Sequence, residues 1–249
     1  MEEIERIRRE VWVRLQGVAF PDSRFHWDFT AFIPDFIGSE QCARRIRQMK
    51  AYTRAKAILA TPDNNLASLR AGAVQDGKLV IVPTYAIGRG FWKLGREYVP
   101  EGQEDYATSL DGLEQFGQPY LLEEVETAER PALLITGASV LNTQGVRLSL
   151  GPSYFDLEWL ILFSLGLLGR DTPILAAVHD CQVVDFPCEP LPYCVTVDTI
   201  VTPTRTIETG SPYQRPEQIA WTELPWHLVK DIPLARRLYE REVQQHKLQ

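Results

Sequence analysis

Five short apolar runs, at residues 55–61, 78–84, 132–137, 173–180 and 197–203, most constrain what this chain can fold into. Each is continuous rather than alternating, the pattern of a strand covered on both faces. Segments with helical patterning separate most of them, over residues 64–73, 106–115 and 154–168. Strands alternating with helices pair in parallel and carry helices on both sides. The expected fold class is therefore α/β, a three-layer sandwich around a mostly parallel sheet. Further helices are expected at 2–16, where Ile4, Ile7, Val11 and Leu15 form a narrow apolar stripe, at 39–52 with Ser39 as N-cap, and at 234–245. Residues 20–38, rich in aromatics and proline, read as an ordered loop. An α/β domain is expected over 1–205, with 206–249 as a C-terminal extension packed on it.

Charge narrows the partners. With 33 acidic and 26 basic side chains, the formal charge is −7. That balance gives no global attraction to nucleic acid or anionic lipid. The N-terminus reads as a charged helix rather than a basic segment followed by an apolar one, so no secretory signal is expected. The longest apolar run, 157–168, is interrupted by Glu158 and Ser164 and is too short to span a bilayer. The reading is a cytoplasmic protein with a small-molecule ligand, no nucleic-acid partner and no membrane partner. Cys42, Cys181, Cys188 and Cys194 form no C-x-x-C pair and read as thiols in a reducing compartment rather than as a zinc site.

Ligands of open parallel sheets collect beyond the carboxyl ends of the strands. Asp63, Asn64, Asn65, Thr84, Tyr85, Gly137, Ser139, His179, Asp180, Gln182 and Thr202 all fall there. The stretch Arg147-Leu-Ser-Leu-Gly-Pro-Ser-Tyr-Phe-Asp-Leu-Glu158 runs a loop of small residues into a helix. Exposed N–H groups and the helix dipole favour an anion such as phosphate at that point. Asp156, in the first turn, could hold a metal ion that bridges phosphates. Ordinary capping, with Ser153 as N-cap and Asp156 at the third helical position, explains the same residues. The loop is neither a Walker A motif nor a Rossmann fingerprint. His179 and Asp180 could act as a base and its orienter, although neighbours on a strand face opposite sides.

The stretch 147–158 resembles the R-L-G-x-G-x-G-Y-x-D segment of the 5-formyltetrahydrofolate cyclo-ligase (5,10-methenyltetrahydrofolate synthetase) family. Val178-His-Asp-Cys-Gln-Val-Val-Asp185 and Val197-Asp-Thr-Ile-Val-Thr-Pro-Thr-Arg205 resemble later strands of a divergent branch, the methenyltetrahydrofolate synthetase domain-containing proteins. The opening residues 7–12 and the tail at 221–233 resemble the same branch, so the similarity covers nearly the whole chain. Vertebrate members append an RNA-recognition motif, and no aromatic RNP-type strand signature is present in this sequence.

The resemblance implies a fold of the NagB/RpiA/CoA-transferase-like type. It also implies MgATP-dependent conversion of 5-formyltetrahydrofolate to 5,10-methenyltetrahydrofolate. ATP phosphorylates the formyl oxygen, N10 attacks, and phosphate leaves as the ring closes. Carried over by position, Arg8, Arg147, Gly151 and Ser153 contact the nucleotide, and Asp156 and Asp198 bind Mg2+ at one cleft. Asn64, Tyr154 and Gln182 line the folate site. The sequence departs from the family pattern at Leu150 and Ile4, which occupy lysine positions, and at Pro152, which removes a backbone donor from the loop. Two further readings follow. One is a ligand-binding or regulatory protein on the same scaffold, without catalysis, for a folate or a thiamine-type phosphate. The other is an ATP-independent isomerase or hydrolase using His179 and Asp180.

Overall fold

The apolar runs become strands whose successive side chains enter two different cores. The computed structural model describes residues 2–148 and 153–247. Five parallel strands form the centre: β1 (Ala57–Ala60), β2 (Leu79–Pro83), β5 (Leu134–Thr136), β6 (Ile174–Ala177) and β7 (Thr199–Val201). Three antiparallel strands complete the edges: β3 (Phe91–Leu94) beside β2, β4 (Gln118–Pro119) beside β3, and β8 (Thr206–Glu208) beside β7. The order across the sheet is β4-β3-β2-β1-β5-β6-β7-β8. The fold is thus α/β with a mixed sheet, parallel at its centre and antiparallel at both margins. The edge strands are two to four residues long and partly exposed, too brief to show a hydrophobic period.

Ala57, Leu59, Ile81, Leu134, Ile174 and Ile200 face one core. Ile58, Ala60, Val80, Ile135, Leu175 and Val201 face the other. Helices α2 (Ser39–Gln48), α3 (Lys50–Arg54), α4 (Ala67–Gln75), α5 (Glu104–Ala107) and α6 (Leu110–Phe116) supply Cys42, Ile46, Tyr52, Leu69, Ala107 and Leu113 to the second core. Helix α7 (Tyr154–Ser164) contributes Phe155, Trp159 and Leu160 to the first. The short α8 (Trp226–Val229) and long α9 (Pro233–Lys247) add Val229 and Ala235 to the same core. Both faces are therefore covered, as continuous apolar strands require. Residues 206–208 pair with β7 as the last strand of the sheet.

Two expected helices differ from the pattern. The span 39–52 breaks at Met49, whose backbone is extended, and Gly38 precedes it at φ 99° with Ser39 already helical. A side chain on Gly38 would strike Pro203, and its left-handed backbone suits glycine. The span 106–115 divides into α5 and α6, with the Ser109 side chain accepting from the Gly112 N–H. Helix α1 (Glu2–Gln16) buries Val11 and Leu15 away from the two sheet cores, where Val11 packs with Val140 and Leu148. The Trp12 indole N–H donates to Ser139 Oγ at 2.7 Å, which fixes α1 beside the loop that follows β5. Among the described residues, no helix is long and apolar enough to cross a membrane.

Candidate functional site

A cavity of about 590 Å³ opens at the carboxyl ends of β1, β2 and β5. Residues 61–64, 84–86 and 136–140 form its base, and the loop 24–33 forms an aromatic wall. Phe25 stacks on Phe32 with centroids 6.0 Å apart and on Tyr85 at 6.1 Å. Ala86, in the lining, has φ 51°, and the adjacent Ile87 has φ 55°. A left-handed backbone is costly for a β-branched residue, and such strain concentrates at ligand sites.

The loop is tied to β1 through Asp22. Its carboxylate accepts from the Arg24 backbone N–H at 2.7 Å, the Phe25 N–H at 3.1 Å and the Asn64 side-chain amide at 2.9 Å. Arg24 also pairs with it at 3.1 Å. Burial works to raise the Asp22 carboxyl, but these hydrogen bonds together hold it well below the usual carboxylate range. Asn64 lines the cavity, and its amide is committed to the loop.

Asp63 and Glu158 bring two acids to the same cavity. Asp63 Oδ2 accepts from Thr61 Oγ1 at 2.5 Å and from the Gly137 N–H at 2.7 Å. Buried Arg70 donates to the carbonyls of Thr61 and Asp63 at 2.6 and 2.9 Å, clamping the turn after β1, and desolvation lowers its guanidinium to about 10. Burial pushes the Asp63 carboxyl up, against the pull of its hydrogen bonds. Glu158 is 3% exposed, and its Oε2 has no hydrogen-bond partner among the described residues. Burial first, and the Asp63 charge second, drive its carboxyl well above the ordinary range.

Arg147, Ser153 and Asp156 converge at the start of α7. Arg147 donates to Ser153 Oγ at 3.0 Å and to Asp156, and its guanidinium lies 4.7 Å from the centre of the Phe155 ring. The capping arrangement is present in full: Ser153 Oγ accepts from the Asp156 N–H, and the Asp156 carboxylate accepts from the Ser153 N–H at 2.6 Å. Asp156 also accepts from Ser153 Oγ at 2.8 Å and from the Val195 N–H at 2.8 Å. Both of its oxygens are thus engaged, and it is 1% exposed. A Mg2+ ion needs outward-facing oxygens in octahedral array, and Asp156 in this position presents none. Arg8 lines the cavity over the Trp12 ring, and its buried Nε has no partner among the described residues. Tyr154 lines it too and is largely exposed. Gly151, Ser149, Leu150 and Pro152 lie outside the described residues.

Several of the expected residues stand apart from this cavity. Asp198 does not meet Asp156. It precedes β7, at the amino edge of the sheet, where it accepts from the Ile174 N–H at 2.7 Å and pairs with Arg215 at 2.5 Å. Asp198 and Arg215 line a separate depression together with Arg170 and Glu208. Gln182 is 1% exposed and stands behind the cavity rather than in it. Its amide donates to the Ala138 carbonyl at 2.7 Å and accepts from the His179 N–H at 2.7 Å, bracing the turn after β5. His179 and Asp180 form no pair. The ring nitrogen Nδ1 accepts from the Cys181 N–H, while Asp180 accepts from the hydroxyls of Thr202 and Thr204 at 2.7 and 2.6 Å. Neither lines the cavity, so the isomerase or hydrolase reading loses its acid–base pair. Among the described residues, no three His, Cys, Asp or Glu side chains cluster as a metal site.

The residues that sequence reasoning passed over are Glu158 and the aromatics at 25–32. Glu158 stood inside an apolar helix, where an isolated acid on an all-round buried helix is itself a signal. The aromatic loop has no period to read and becomes a wall only by folding over the sheet.

A parallel-centred sheet with a ring-sized, aromatic-walled cavity at its carboxyl edge defines an α/β protein built around a small-molecule site. The chain belongs to the 5-formyltetrahydrofolate cyclo-ligase family, whose sequence profile matches residues 2–203. It is 31% identical over 247 residues to the human methenyltetrahydrofolate synthase domain-containing protein, and 32% over 248 residues to that of Mus musculus. The alignments cover 96% of this chain but 62% and 63% of those proteins, so the chain spans about three-fifths of their length. The fold is similar to the NMR structure of Aquifex aeolicus 5,10-methenyltetrahydrofolate synthetase, with a TM-score of 0.51 at 13% identity, covering 86% of this chain and 97% of that one.

Proposed function

We propose that this chain acts on 5-formyltetrahydrofolate as a cyclo-ligase, with the cavity at the carboxyl edge holding the reduced folate. The observation that carries the reading is one cavity combining an aromatic wall, two acids at its base and the arginines Arg8, Arg24 and Arg147. A flat ring with N–H groups suits the wall and the acids. Glutamate carboxylates and nucleotide phosphates suit the arginines, which bind planar oxyanions through paired donors. Bound at those arginines, MgATP would supply the phosphoryl group that activates the formyl oxygen for closure by N10, with phosphate as the leaving group. The chain's own contribution is to hold the formyl group in line and to exclude water from the activated carbon. With both Asp156 oxygens taken and Asp198 elsewhere, no step is assigned to a protein-held metal ion.

The test is direct. Incubation with 5-formyltetrahydrofolate and MgATP should yield the methenyl chromophore with one phosphate released per turnover, and neither product without ATP. Binding of 5-formyltetrahydrofolate without turnover would support a second reading, a ligand-binding protein on this scaffold that has lost the ligase step. That reading rests on the pairing of Arg24 with Asp22 and of Arg147 with Asp156, which leaves both cations partly neutralised. Thermal shifts with 5-formyltetrahydrofolate, thiamine phosphates and MgATP identify its ligand. A ligand present at 100 times its Kd adds about 2.7 kcal/mol of stability. No response to any of the three sinks both readings.

A further inference from the structure

Charge is segregated along this chain and across one face of the fold. Residues 41–62 carry six cations and no acid, whereas residues 97–129 carry ten acids and no Lys or Arg. Both stretches supply helices to the same side of the sheet, since α2, α3, α5 and α6 all enter the second core. Helix α2 packs over β6 and β7, α4 over β2 and α6 over β3, so the basic stretch covers one end of this face and the acidic stretch the other. The outward sides are exposed. Arg44, Arg45, Lys50 and Arg54 stand at the basic end. Arg45 donates to the carbonyls of Pro203 and Thr204 at 3.3 and 3.2 Å, and the other three form no ion pair among the described residues. Glu101, Asp105 and Asp111 stand at the acidic end and form none either. Tyr106 and Leu110, between those acids in the chain, are 45% and 38% exposed, apolar surface of the kind that interfaces carry at their centre.

We propose that this face docks a second copy of the chain, paired about a two-fold axis. One charged end alone would suit any partner of opposite sign, but two opposite ends on one face are complementary to the face itself. A half-turn about an axis at α4 lays the basic end of each copy on the acidic end of the other. Both pairings then form at once and the assembly closes. A polyanion is a poorer occupant, because the acidic end of the same face repels it. The net charge of −7 sets copies against each other elsewhere on the surface, which confines the pairing to this face. Complementary charges across an interface fix partner and register, and their attraction weakens as salt screens it. The pairing requires neither the ligand nor the ligase reaction.

Sedimentation velocity on the full chain reads the association. Wild type should run as a dimer at low salt and as a monomer at about 1 M salt, where the screening length falls to about 3 Å. Two charge-reversed forms extend the test, each checked for folding by circular dichroism. The first carries Arg44→Glu, Lys50→Glu and Arg54→Glu, and the second carries Glu101→Lys, Asp105→Lys and Asp111→Lys. Each form alone should be monomeric at low salt, its self-association weakened by roughly a hundredfold or more, because like charges then face each other. Mixed in equal amounts they should pair again, since the first now bears acids at both ends and the second cations at both. A wild type that stays monomeric at low salt overturns the proposal whether or not the variants fold. So does a dimer indifferent to salt, or a mixture of folded variants that fails to associate. Species larger than a dimer would mean an open chain of copies, and that result overturns the two-fold pairing.

Discussion

Arg147 and Asp156, nine residues apart in the chain, form an ion pair in which the side chains are only 10% and 1% exposed. The pair closes the first turn of α7 and, through the Val195 N–H, fastens the approach to β7. Breaking a buried pair by removing one partner leaves an uncompensated charge, at a cost of about 3–5 kcal/mol. Asp156→Ala should therefore lower unfolding free energy by about that much in urea titrations with EDTA present. A loss seen only with Mg2+ would instead make Asp156 a metal ligand.

Asp22 gives the aromatic loop an acid-sensitive anchor. Its folded carboxyl lies below the value it takes in the unfolded chain, which is about 3.9. The stabilisation it contributes is therefore complete above that pH and is lost as pH falls through the folded value. Asp22→Asn should be less stable than wild type at pH 7, and the gap should narrow on acidification below about pH 4. Melting curves between neutral and acid pH measure the gap, and a constant difference across the range would contradict the assignment.

Asp198 binds the segment around Arg215 to the amino end of β6. Hydrogen bonds to a charged group are worth about 1.5–3 kcal/mol, and this carboxylate is half exposed, so the lower end applies. Asp198→Ala should lower stability by roughly 1–2 kcal/mol and leave 5-formyltetrahydrofolate affinity within a factor of about two, the site lying at the other edge of the sheet. A large loss of ligand binding at unchanged stability would return Asp198 to the functional site.

At Gly137, in the lining, a single methyl group tests the cavity itself. An added Cβ would stand 2.7 Å from Ile33 Cγ2 and 2.9 Å from Asp63 Oδ2, closer than real contacts allow. Gly137→Ala should cost about 1–3 kcal/mol of stability, as overpacking does. It should also weaken 5-formyltetrahydrofolate binding at least tenfold, or about 1.4 kcal/mol. Calorimetry on both proteins reads the two effects separately, and unaltered affinity would mean that the ligand docks elsewhere.

Local pattern and long-range contact divide cleanly here. The five central strands were readable because burial on both faces leaves a continuous apolar signature at each. The Ser153–Asp156 cap was readable because its partners are three residues apart. Asp198 carried its own warning: it lies at the start of its run, whereas ligands gather at strand ends. Gln182 carried none, since its buried bonds run to Ala138 and Ser139, 44 and 43 residues away.

The α/β class, the central strands and the family were legible along the chain, because they depend on periodicity, turn chemistry and motif order. Which polar groups share a cavity emerged from the folded arrangement. It brought Glu158 beside Asp63, turned the 25–32 aromatics into a wall, enclosed Asp156 and carried Asp198 to the opposite edge. The reason is physical: whether a carboxylate is available to a ligand depends on the donors that reach it first, and those donors come from distant parts of the chain.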